Sequence, residues 1–78
     1  MPTVLRVEGF RFYFFSNERG EPPHVHVNKG DAMAKLWLQP VKMAHSFGFN
    51  SGELRRIREI VFEHQVEIVE KWNDYFDR

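Results

Sequence analysis

The chain has 78 residues and 9.4 kDa, of which 42% are apolar and 28% charged, with no cysteine. That is one small domain able to bury about 60% of its extended-chain surface; a disulfide scaffold, a thiolate metal site and a cysteine nucleophile are excluded. Eleven Lys and Arg balance eleven Asp and Glu, which argues against bulk attraction to nucleic acid or membrane, so any anion site must be local.

The opening Met-Pro-Thr lacks the basic and apolar regions of a signal peptide, and every apolar run is too short for a bilayer. A cytoplasmic protein without membrane contact is expected. The β-rich runs at about 3–7 and 10–16 flank Glu8-Gly9, a two-residue hairpin signal. Ser16 to Pro23 reads as a polar loop. Pro22-Pro23 favours extended backbone and feeds a third strand at about 24–28; a turn at Lys29-Gly30 returns a fourth at about 32–39. Pro40 ends it, and 40–49 reads as irregular, with Phe47 and Phe49 tucked inward.

Asn50 and Glu53 have capping-box spacing, and a helix is expected over 51–76. Leu54, Ile57, Val61, Ile68, Trp72 and Tyr75 fall on one face at the helical period. Asp77 opposes the helix dipole, so the last turn should fray. The expected architecture is a single α+β domain of two layers over 1–78, a four-stranded antiparallel β-meander packed on one C-terminal helix (ββββα).

Such a domain leaves one sheet face uncovered. With the two turns as placed, Leu5, Val7, Phe10, Phe12, Phe14, Val25, Val27, Ala32, Ala34, Leu36 and Leu38 face the helix. The uncovered face collects Arg6, Arg11, Tyr13, His24, His26, Lys35 and Trp37, along with Val4 and Phe15. Lys35 would pair with His24, and Met33 with His26. No carboxylate falls on this face among the strand positions. Arg6 opposite Arg11 is a destabilising like-charge pair unless an anion or acidic partner sits there.

Three functions use these residues. A metal-independent ribonuclease would use His24, His26 and Lys35 for catalysis, with Arg6 and Arg11 stabilising phosphorane charge. Tyr13 and Trp37 would stack bases. A non-enzymatic module would dock a partner protein, or its acidic segment, on Arg6, Arg11, Tyr13 and Trp37. As a further alternative, His24 and His26 share a strand face at a spacing that can hold a divalent ion. No third ligand is evident, cysteine is absent and the neighbours are basic, so no metal or cofactor is expected. Unpaired strand edges and exposed aromatics also allow a homodimer.

The opening segment through EPPHVHV, the AKLWLQPV run, the FGFN turn and the terminal EKWNDYF together resemble domain of unknown function family 4160 across essentially the whole chain. The signature positions carried onto this chain are Glu21, Pro22, Pro23, His24, His26, Gly48, Phe49 and Asn50. The resemblance implies a short prokaryotic protein whose gene often lies beside that of a second uncharacterised family, number 2442. It further implies a toxin–antitoxin-like pair, hence a small antitoxin-like partner protein and a toxin role, for which the small size and the basic, histidine-bearing sheet face suggest RNA as the target.

Overall fold

Two β-rich runs closed by Glu8-Gly9 form the hairpin their sequence requires. The computed structural model describes residues 3–16, 18 and 20–76. In it β1 (Thr3–Val7) pairs antiparallel with β2 (Phe10–Tyr13). Glu8 and Gly9 have φ of 54° and 84°, the left-handed pair of a type I′ turn, whose twist suits the flanking strands. Val7–Phe10, Arg6–Arg11 and Leu5–Phe12 pair as expected. A bulge then replaces the expected Val4–Tyr13 pair with Thr3–Tyr13, and Val4 packs against the core instead of facing away from it. β2 stops at Tyr13, short of the expected residue 16.

β3 (His24–Lys29) and β4 (Ala32–Leu38) are joined through Gly30-Asp31, one residue beyond the expected turn. Gly30, at φ 60°, takes the first central position, as in a type II′ turn. The register therefore slips by two residues: His26 pairs with Lys35 and His24 with Trp37. A slip of two preserves the face of every side chain, where a slip of one would have inverted them all.

The segment expected to be irregular is a fifth strand, β5 (Val41–Phe47), turned back along β4 at Gln39-Pro40, which are joined by a cis peptide bond. Pro40 ends β4 without ending the sheet. A bulge aligns Lys35 with His45 but Leu36 with Met43, so the apolar alternation of VKMAHSF is broken and its period does not read as a strand. The sheet runs β1-β2-β3-β4-β5, each strand beside its sequence neighbour.

The expected single helix is two, α1 (Ser51–Glu63) and α2 (Gln65–Phe76). The Asn50–Glu53 capping box is fully formed. At the break, His64 N–H donates to the Ile60 carbonyl, its own carbonyl accepts from Ile68 N–H, and the Gln65 side chain donates to the Leu38 carbonyl at the end of β4. That contact ties the start of α2 to the end of β4. Asp77 lies outside the described residues.

Both helices cover the same sheet face. Ile57, Ile60, Val61, Ile68 and Trp72 pack on Phe10, Phe12, Phe14, Val25, Val27, Ala34, Leu36 and Leu38 as one core. Ala32, expected among them, is only half-buried. Arg56 on α1 holds the β1–β2 turn down, its Nε 3.0 Å from both carboxylate oxygens of Glu8. No helix of the described residues is long and apolar enough to cross a membrane.

Candidate functional site

The register arranges the uncovered face in cross-strand rows. One row crosses all five strands: Arg6, Arg11, Asn28, Met33 and Phe47. The next holds Thr3, Tyr13, His26, Lys35 and His45. His24, Trp37 and Lys42 form the last, beyond the end of β2. The seven residues expected on this face are there, but they are not equally accessible. Arg6 is exposed; Arg11, His26, Lys35 and Trp37 are half-buried; Tyr13 and His24 are buried, against expectation.

The segment between β2 and β3 causes the difference. Phe14 enters the core against Trp72, whereas Phe15 folds over the second row, edge-on to His26 at 4.4 Å and to Tyr13 at 5.4 Å between ring centres. Tyr13 stacks on His26, and burial raises its hydroxyl pKa above the ordinary value. Pro22-Pro23 then leads the chain into β3, and the Pro23 carbonyl accepts from Leu38 N–H.

This loop also delivers the carboxylates that the strand positions lack. Glu21 lies 2.6 Å from Lys35 Nζ, which sits 4.5 Å over the Trp37 ring. Glu18 Oε1 accepts a hydrogen bond from His26 Nε2 at 2.7 Å and approaches His24 Nε2 to 2.8 Å. The second contact does not count as a hydrogen bond, and His24 Nε2 has no hydrogen-bond partner among the described residues. Burial pushes the Glu18 carboxyl up, but the two imidazoles it faces outweigh this and hold it below the usual carboxylate range. For His26 burial dominates over the Glu18 charge and lowers the pKa, favouring the neutral ring.

His24 is enclosed from both sides of the sheet. Because β2 ends opposite His26, Trp72 of α2 reaches the His24 ring at 4.8 Å, while Trp37 lies 5.5 Å and His26 5.2 Å away. The other ring nitrogen, Nδ1, is 2.9 Å from the Pro22 carbonyl. Among the described residues, Glu18, His24 and His26 are the one group of three potential metal ligands brought together, with ligand atoms within 4.8 Å of one another. Reading 16–23 as a polar loop left Glu18 unnamed and gave Glu21 no place beside the histidines beyond its position in the family resemblance. The usable signal was that a loop joining adjacent strands must cross the sheet end where His24 and His26 stand.

The remaining cations lie outside this cluster. Arg11 Nε donates to Thr3 Oγ1 at 2.8 Å and its guanidinium covers the Tyr13 ring. His45, Met33 and Phe47 are exposed. Arg56 is bound to Glu8, Glu59 and Glu63.

Fold and site together define a small α+β domain whose five-stranded meander is covered by helices on one face and carries a loop-capped histidine pair on the other. Residues 9–73 match the model of the domain of unknown function DUF4160, and the chain belongs to that family. No curated protein and no solved structure matches it.

Proposed function

We propose that the protein binds single-stranded RNA across the uncovered face of its sheet. The observation that carries this reading is the unbroken row Arg6, Arg11, Asn28, Met33, Phe47. With neighbouring strands about 4.8 Å apart, it spans roughly 20 Å, room for a few nucleotides. A phosphate relieves the repulsion between the facing Arg6 and Arg11. At the other end Phe47 is 71% and Met33 50% exposed, an apolar platform for a base, and Asn28 offers an amide between them. Stacking on an aromatic contributes about 1–3 kcal/mol per base.

His26 and Lys35 are held by loop carboxylates, and His24 is buried, so the geometry favours binding over cleavage by these three residues. A toxin-like role stays within the proposal: a small partner protein occluding the same row would neutralise it.

Fluorescence anisotropy with a short labelled single-stranded RNA and its duplex tests this. Single strands should bind better than duplex. With two phosphate contacts, log affinity against log salt should fall with a slope of roughly −1.4. Phe47→Ala should weaken binding about 5- to 100-fold, and Arg6→Ser should flatten the salt slope. Affinity unchanged in both variants sinks the RNA reading. Capture of an acidic partner protein through the same residues, with no RNA bound, would replace it with the interaction-module reading.

A further inference from the structure

We infer that Glu18, His24 and His26 form a binding site for one divalent first-row transition-metal ion of the Zn²⁺ class. This goes beyond the RNA reading and stands or falls separately from it.

The tautomer of His24 is the starting point. Its Nδ1 lies 2.9 Å from the Pro22 carbonyl, and a carbonyl oxygen can only accept, so Nδ1 carries the proton. In the neutral ring Nε2 is therefore a bare lone pair. That lone pair is fully buried, meets no donor among the described residues, and stands 2.8 Å from a carboxylate oxygen. Two electron-rich atoms at that distance repel unless a cation lies between them. An ion bound by both atoms removes that repulsion and satisfies the lone pair.

The rest of the cluster suits the same ion. His26 presents its Nε2 to the same Glu18 oxygen at 2.7 Å, so two nitrogens flank one oxygen, all three within 4.8 Å of one another. Metal–ligand bonds of about 2.0–2.2 Å at tetrahedral angles place ligand atoms roughly 3.3 Å apart. The two contacts to Glu18 need to open by about half an ångström. For metal to bind, the Nε2 proton of His26 must leave and Nδ1 take one up, keeping the ring neutral. The Nδ1–H to Pro22 carbonyl bond is the outer-shell contact that orients a metal-bound histidine. Trp37, Trp72, Tyr13 and Phe15 pack against the two imidazoles, which limits solvent access and ligand exchange.

Two imidazoles and one carboxylate disfavour Mg²⁺ and Ca²⁺, which prefer all-oxygen sets. They match the His₂–carboxylate donor set of Zn²⁺ and non-haem Fe²⁺ sites, which leaves a position for water or an anionic ligand.

Untagged protein should be titrated calorimetrically with Zn²⁺ and, separately, with Co²⁺, whose visible absorption reports coordination. Wild type should bind one ion per chain and melt at a higher temperature. Glu18→Gln and His26→Asn alter half-buried residues rather than core ones; each should weaken binding at least tenfold and change the Co²⁺ spectrum. His45→Ala, on the same face but outside the cluster, should bind as wild type does. Failure of wild type to bind either ion stoichiometrically overturns the inference. So does wild-type affinity in both ligand variants, or loss of binding in His45→Ala.

Discussion

Phe14 is the residue through which α2 is docked, and Phe14→Leu tests that directly. Its ring is 1% exposed and touches Trp72, Tyr75 and Phe76, with centres 5.2, 6.2 and 6.1 Å away. Each aromatic pair contributes about 0.5–1.5 kcal/mol beyond its buried area. Leucine recovers most of the apolar volume but none of the edge-to-face geometry, and neighbouring pairs are not additive. The expected loss is about 2 kcal/mol. A domain of this size has a total stability of about 4–12 kcal/mol, so the loss is a large fraction. Thermal unfolding followed by circular dichroism should show a midpoint lower by about 8–16 °C. In native-state hydrogen exchange, α2 amides should lose more protection than those of α1, which keeps its capping box. Phe47→Leu serves as the control, since a ring 71% exposed should change stability by no more than about 0.5 kcal/mol. If the two variants melt together, or if α2 exchanges as slowly as in wild type, the docking argument is wrong.

Two further outcomes follow from the backbone and the surface. A Cβ on Gly48 would lie 3.1 Å from Ala32 Cα and Cβ at φ 87°, whereas one on Gly30, at φ 60°, meets nothing within 4 Å. Both alanine variants incur about 1–2 kcal/mol for left-handed backbone, but only Gly48→Ala adds about 1–3 kcal/mol of overpacking. Its urea midpoint should fall clearly further, and equal midpoints would contradict the contact. The Arg56 hydrogen bond holds the Glu8 carboxyl below the usual range. A value depressed in the folded state stabilises fully above the unfolded-chain pKa and ceases to do so as pH falls through the folded one. Both groups meet solvent, so the effect is small and salt-sensitive. Glu8→Gln should be less stable than wild type at neutral pH and converge with it in acid; a gap that persists in acid rules the ion pair out as its cause.

Much of the fold was legible where local chemistry decides it. Glu8-Gly9 determines the first hairpin, Asn50 and Glu53 the start of α1, and alternation placed Phe10, Phe12, Val25, Val27, Leu36 and Leu38 on the core face. The faces are as expected although the turn lies at 30–31 and not at 29–30, because the resulting register shift is even. What stayed illegible depends on contacts distant in sequence. β5 hides behind its bulge, and the helix breaks at His64 where Gln65 finds Leu38, with no glycine or proline to announce it. Glu18 becomes a site residue only because β2 stops at Tyr13 and the loop must close over His24 and His26. Arg6 opposite Arg11 could be read directly, since both lie beside a turn whose type the sequence dictates.

The enclosure of His24 by Trp72 also bears on the order in which the molecule is completed. Strands that pair only with their sequence neighbours close short loops and assemble quickly. Glu18, His24 and His26 lie within a single short stretch of the β2–β3 loop and β3, yet the indole on His24 comes from α2, far along the sequence. A chain still being synthesised can pair its strands while the imidazole stands open to water, and only α2 shuts it in. The burial of one histidine thus marks the docking of α2, and a chain lacking Trp72 would keep its sheet residues but leave that ring uncovered.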